Sequence, residues 1–259
     1  TSSLVGSEMC IRDRNKAGAE KMATVWFEAL KKVLASSETV FSPEIVRYKT
    51  LEDGDSLALH IFKPRNMQAG EKRPAIVYFF GGGWKLGTPI QFYRECAYYA
   101  SKGMVAVSVD YRIGYLHHST PFESFEDAKD AICWLRSHAS DYQLDPDKIA
   151  VAGGSAGGHL AAALGTIGSD ETVPAGYRPN LSVLYYPVID MVSRGYGFPE
   201  IKRDFEKISP IHHVSEATPS TLILLGTKDP IVSVETIEAY QDKLCLLYTS
   251  PSPRDSTSS

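Results

Sequence analysis

The sequence predicts an α/β protein built on a doubly wound, mostly parallel sheet. Three observations carry this: short apolar runs recur along the chain, helical stretches separate them, and a G-x-S-x-G motif sits where one such run meets an Ala-rich helix. Runs that are apolar on both faces suit strands buried in a parallel sheet, and strand–helix alternation is the pattern of crossover units.

Taken in order, Ala17 to Leu34 has Met22, Val25, Trp26, Ala29, Leu30 and Val33 at helical spacing and is expected to be an amphipathic helix. Ile45–Thr50 and Ser56–Phe62 alternate in the strand manner about Asp53-Gly54, a turn signal, and predict an antiparallel hairpin. Apolar strands follow over Ala75–Phe80, Met104–Val109, Ile149–Ala152, Leu181–Tyr186 and Leu222–Leu225. Helices are expected over Gln91–Lys102, Phe125–Ser140, Ala156–Ile167 and Val234–Leu244. Asp141–Lys148 reads as a loop, and Met191–Pro210, with Gly195, Gly197 and Pro199, as an irregular segment over the strand ends.

With 259 residues, 43% hydrophobic and 22% charged, the chain suits one sizeable core. Its net charge of −4 comes from mixed acidic and basic residues without basic runs, which argues against nucleic acid and leaves a small-molecule or oligosaccharide substrate. No run approaches the roughly 18 apolar residues of a membrane span.

The two ends are related through their DNA. Leu4 to Asp13 can be encoded by CTC GTG GGC TCG GAG ATG TGT ATA AGA GAC, whose complementary strand in a shifted frame reads as Cys245 to Arg254. Both strings resemble translated transposon adapters, so residues 1–14 and 245–259 are expected to be adapter-derived and residues 15–244 to be the native domain. Of four cysteines only Cys96 and Cys133 then remain, without the spacing of a zinc site or a disulfide framework.

The chemistry centres on Ala152-Gly153-Gly154-Ser155-Ala156-Gly157-Gly158. Glycines at 153 and 157 permit a sharp turn that lifts the Ser155 hydroxyl above the sheet, beside a helix N-terminus; the plainer alternative is a Gly-rich helix start. A nucleophilic serine generates an oxyanion, which needs fixed N–H donors. Ala156 is one candidate, and Phe80-Gly81-Gly82-Gly83-Trp84, directly after a strand, offers others unless it is only a flexible turn. Asp229 follows the last apolar strand and suits the acid that orients a histidine, or else an ordinary Asp-Pro turn. The base is missing: His60, His117, His118, His138, His159, His212 and His213 all precede Asp229. His159 reads as a packed or capping residue and His212 and His213 as surface or lid positions. A base after one more helix and strand needs roughly 25 to 30 further residues, more than lie between Asp229 and Leu244.

Gly81-Gly82-Gly83-Trp84, Val109-Asp110-Tyr111-Arg112, Asp145-Pro146-Asp147-Lys148-Ile149, Gly154-Ser155-Ala156-Gly157-Gly158-His159-Leu160, Ser209-Pro210 and Gly226-Thr227-Lys228-Asp229-Pro230 occur here in an order that resembles the α/β-hydrolase superfamily. The resemblance is to its carboxylesterases and carbohydrate acetyl or feruloyl esterases, and it runs from about Glu44 to Leu244. It implies an α/β-hydrolase fold truncated at its C-terminus, with Ser155 as nucleophile, Asp229 as acid, Gly82, Gly83 and Ala156 as oxyanion donors and Trp84 as a further candidate. It also implies hydrolysis of short acyl or acetyl esters, on xylan-type carbohydrate fragments, with no metal or cofactor. A serine peptidase on the same fold, or a catalytically dead small-molecule-binding relative, are the alternatives. The sequence departs from the pattern in having Phe80 where such proteins usually have the histidine that braces the glycine loop, which bears on the loop's support rather than its donors. It departs again in lacking the catalytic histidine.

These readings predict that the source DNA, sequenced past the codon for Leu244, encodes a helix, a strand and then a histidine. Native continuation into Cys245 to Ser259, or a stop without histidine, would favour the binding protein.

Overall fold

The computed structural model describes residues 42–168, 175–191, 201 and 204–249. The helix expected over Ala17–Leu34 lies outside them, as does most of the first half of Met191–Pro210. The described residues from Pro43 on form one compact unit.

Its frame is a sheet of β1 (Glu44–Thr50), β2 (Ser56–Phe62), β3 (Arg73–Phe79), β4 (Val105–Val109), β5 (Leu144–Gly154), β6 (Leu181–Tyr185) and β7 (Ser220–Leu224). Among the described residues the spatial order is β1-β2-β4-β3-β5-β6-β7. β1 and β2 form the expected antiparallel hairpin, turning through Asp53-Gly54, where Gly54 takes φ +92° and donates to Leu51. β2 runs antiparallel to β4, and β4, β3, β5, β6 and β7 are mutually parallel.

Between the parallel strands lie α1 (Tyr93–Ser101), α2 (Pro121–Ser137), α3 (Ala156–Thr166) and, after β7, α4 (Val234–Thr249). The chain leaves β3 toward β4 on one side, then crosses β3 to reach β5 on the other. Right-handed crossovers therefore put α1 and α2 on opposite faces, and the strand order reverses at β3. In such sheets the reversal leaves a crevice at the carboxyl ends of the flanking strands, here β3 and β5.

Several boundaries differ from expectation for local reasons. α2 starts at Pro121, four residues earlier than its apolar pattern, because Thr120 caps it reciprocally with Glu123 and Pro121 occupies the first turn. β5 begins at Leu144, inside the expected loop: Leu144 pairs with Arg73, the register then shifts, and pairing resumes at Ala75 with Ile149. The intervening residues turn locally, with the Asp145 carboxylate accepting from the Asp147 amide (3.1 Å) and paired to Lys148 (3.1 Å). The helix expected to stop at Leu244 continues as α4 to Thr249. β7 is not buried on both faces as its apolar run suggested: Leu222 and Leu224 are 46% and 41% exposed, because it is the edge strand among the described residues.

β4 is buried throughout, and so is every residue of α3, which packs on β5, β6 and β3. Among the buried polar residues are two ionisable ones, Asp127 and His159. Asp127 of α2 has no exposed side-chain surface; it accepts from Arg112 through Nε (2.8 Å), a terminal guanidinium nitrogen (2.8 Å) and the backbone amide (2.9 Å), and from Lys49 (2.7 Å). It therefore ties β1, the segment after β4, and α2 together. His159 of α3 is buried and donates from Nε2 to the Ile208 carbonyl (2.7 Å). Burial pushes its imidazole down to about 4, against the opposing pull of that carbonyl.

Removing Asp127 leaves the half-buried Arg112 without its carboxylate and Lys49 with the exposed Asp130 alone, so Asp127→Ala is expected to cost about 3 kcal/mol in urea unfolding. A change within a few tenths would show the pair to be idle. Because His159 is neutral when folded, the unfolded chain takes up a proton there that the native one refuses as pH falls from about 6.5 to about 4. Stability present above that window declines through it, by about 3 kcal/mol in all. His159→Gln should flatten the decline in urea midpoints; an unchanged slope would refute the assignment.

Candidate active site

Ser155 occupies the single position between the end of β5 and the start of α3, with φ 54° and ψ −119°. A side chain other than glycine's is strained there, and surrounding contacts must hold it. Its amide donates to Tyr185 of β6 (3.0 Å), and its carbonyl accepts from His159 (2.9 Å) and Val188 (3.4 Å). The turn is pressed directly on β3: a Cβ at position 157 would lie 2.0 Å from the Phe79 carbonyl oxygen, so only glycine fits. The Ser155 hydroxyl opens on a cleft of about 430 Å³ lined by Gly81, Gly82, Leu86, Gly87, Thr88, Ile90, Gln91, Ser155 and Tyr186, with no charged side chain in its wall.

The glycine run leaves β3 and passes beside the serine, where a Cβ on Gly81 would stand 3.5 Å from that of Ser155. Gly82 has φ +138° and backs onto the Leu86 carbonyl so closely that a Cβ would lie 1.9 Å from its oxygen. Gly82 thus shares the cleft with Ser155, while Gly83 and Ala156 are buried beside it. The Ala156 amide, in the first turn of α3, has no carbonyl of its own helix to meet. Trp84 is buried at φ 58° and stands edge-on to the His159 ring, with centroids 5.1 Å apart, away from the cleft lining.

The loop is braced without a histidine at position 80. Phe80 stacks on Tyr111 (centroids 4.1 Å, 15°), whose hydroxyl donates to the Phe80 carbonyl (2.6 Å). The Gly81 amide donates to Gln91 Oε1 (2.5 Å).

Asp229 lies five residues beyond β7, two strands across the sheet from β5, and is not in the cleft wall. Its Oδ1 accepts from the amides of Ile231 (2.9 Å) and Val232 (2.9 Å). The seven histidines are all described, and none lines the cleft. His60 meets the Tyr93 hydroxyl (2.5 Å), His117 accepts from the Ile113 amide (3.0 Å), His118 ends a helical turn at φ 52°, and His138 stacks on Trp134 (3.9 Å). His159 is engaged as described above. His212 lies 3.6 Å from Asp190, and His213 meets the Glu206 carbonyl (2.8 Å). Sequence reading named Ser155 and Gly82 but passed over Gln91, Tyr111 and Tyr186. Tyr111 stood in a quoted motif without a role, whereas Gln91 and Tyr186 carried no local signal, being a helix start and a strand end.

Residues 59–193, just over half of the chain, match the BD-FAE family. The chain is 28% identical over 223 residues to Esterase LipC of Mycobacterium tuberculosis, covering 74% of this chain and 53% of that protein. It is 26% identical over 201 residues to an acetylxylan esterase of Xylanibacter ruminicola, covering 72% of this chain and 39% of that one. The chain thus spans about half the length of the first relatives it matches. Among solved structures, esterase 2 of Thermogutta terrifontis phosphoramylated by tabun superposes with a TM-score of 0.74 at 36% identity, covering 80% of each chain. Its propionate-bound form gives 0.73 at 35%, again over 80% of each. With the elbow at Ser155, the glycine loop beside it and these likenesses together, the fold is that of an α/β-hydrolase and the chain belongs to the BD-FAE family.

Proposed function

We propose that the complete protein is a serine carboxylic-ester hydrolase that works through an acyl-enzyme. The observation that carries this reading is Ser155, held at positive φ and open to a cleft it shares with Gly82. In the reaction Ser155 Oγ attacks the ester carbonyl while a histidine takes its proton, and the carbonyl oxygen gathers negative charge. The amides of Gly82, Gly83 and Ala156 receive that charge, the alcohol leaves with the proton returned by the histidine, and water repeats the sequence to free the acid.

Asp229 is the acid in this reading, since the two amides on Oδ1 fix its carboxylate and leave Oδ2 for an imidazole. None of the seven histidines lines the cleft, so this reading assigns the base to native sequence outside residues 15–244. Leu86, Ile90 and Tyr186 give the cleft an uncharged, largely apolar wall suited to a short acyl group. An acetyl or similar ester on a xylan-type carbohydrate fragment is the favoured substrate, supported by the acetylxylan esterase among the relatives.

The protein completed with its histidine-bearing sequence is expected to hydrolyse short acyl esters and acetylated xylo-oligosaccharides. Ser155→Ala should lower its kcat by about 10³-fold or more, and the 259-residue chain itself should show only comparable residual turnover. Full activity in Ser155→Ala would refute the nucleophile. Ready turnover by the 259-residue chain would show that one of its own histidines serves. A completed protein that binds esters without cleaving them would be the binding relative instead.

A further inference from the structure

The sheet's hydrogen-bond ladder ends at Phe79, which pairs with Val109 on one side and Gly153 on the other. The next peptide unit joins Phe80 to Gly81 and lies beyond the strand, where no ladder neighbour can hold it. Its two polar ends are nonetheless both occupied, each by a side chain from a different part of the fold. The carbonyl of Phe80 accepts from the Tyr111 hydroxyl (2.6 Å), and the amide of Gly81 donates to Gln91 Oε1 (2.5 Å).

Tyr111 is two residues past β4, fully buried, and its ring lies flat against Phe80. Gln91 belongs to the 3₁₀ turn Pro89–Phe92 ahead of α1 and stands in the cleft wall opposite the glycines. Together they fix the orientation of a whole peptide plane, immediately before two glycines that no Cβ restricts; on the far side the Gly82 carbonyl is anchored by the amides of Lys85 and Leu86 (3.1 Å each). With the Gly81 amide taken by Gln91, the donors that this loop leaves to the cleft are those that follow it.

We propose that Gln91 and Tyr111 are positioning residues that clamp the Phe80–Gly81 peptide and thereby preorganise the Gly82 and Gly83 amides as an anion receptor, in place of a bracing histidine. The proposal rests on the ester-hydrolase reading for what the receptor is for, but not for whether the clamp exists. Preorganised donors act without reorganising when charge arrives, so a loop released at this peptide binds an anionic oxygen less well even though its own amides are unchanged.

The test is amide NMR of the 259-residue chain labelled with ¹⁵N-glycine, titrated with sodium butyrate as the probe. In the unsubstituted chain, saturable downfield shifts are expected at Gly82 and Gly83 and not at Gly81. In Gln91→Met, which keeps the shape but loses the acceptor, the Gly81 amide should move upfield and exchange faster with solvent, and butyrate affinity should fall about tenfold. Tyr111→Phe acts from the other end of the same peptide and should weaken butyrate similarly. Gly54, Gly70 and Gly226, in turns elsewhere, report in the same spectra whether each variant has folded. If both folded variants bind butyrate as the parent does, the clamp is refuted and the nucleophile reading stands. If the parent shows no shift at Gly82 or Gly83, the receptor itself is refuted. A positive clamp together with full ester turnover in the completed Ser155→Ala protein would overturn the nucleophile and leave the clamp.

Discussion

Everything at this site depends on how closely two backbones approach. The turn carrying Ser155 is pressed against the end of β3 with no side chain between them, and the Phe79 carbonyl occupies the space a Cβ at position 157 would need. That contact sets the height of the serine above the sheet and brings the glycine loop alongside it. It is tolerable because the strained φ of Ser155 is held from several directions, by Tyr185 in the neighbouring strand, by Val188 beyond it and by the first turn of α3. α3 is in turn buried along its whole length, so the strain is borne by a helix that cannot shift without opening the core.

The polar groups inside the fold serve the same end. Asp127 joins the hairpin, the loop after β4 and α2 into one unit, and the residue just before its arginine partner is Tyr111, which reaches the loop beside the serine. A core ion pair and the support of the cleft are thus neighbours in sequence. His159 makes the second link, from the helix behind the serine to the Ile208 carbonyl, with Trp84 of the glycine loop packed on its ring.

Much of this was legible in the sequence because it rests on local rules. Glycine at 153, 157 and 81 to 83, strand-length apolar runs and a Gly-rich junction each restrict the backbone within a few residues, so the sheet and the position of Ser155 followed from them. The start of α2 was also written locally, in Thr120-Pro121-Phe122-Glu123, but an apolar periodicity count overlooked it. Gln91 was of another kind. Nothing around it in the chain distinguishes it from a surface glutamine, and its role exists only because the crossover from β3 to β4 folds the turn Pro89–Phe92 back over the glycines. Tyr186 likewise became part of the cleft only through leaving its strand at φ 38°, held by the Leu224 carbonyl of the next strand (2.7 Å).

The carboxylate of Asp229 has a consequence of its own. One oxygen is engaged by two amides no more than three residues away, so its direction is decided within a single short loop rather than by any distant element. An imidazole that docks on the other oxygen must do so through a protonated nitrogen, which leaves its second nitrogen as the basic one. In the hydrolase proposed above, the tautomer would therefore be selected before the ring arrives. A stretch of chain bringing that ring would have only to deliver it, and would be free to differ widely in length and composition.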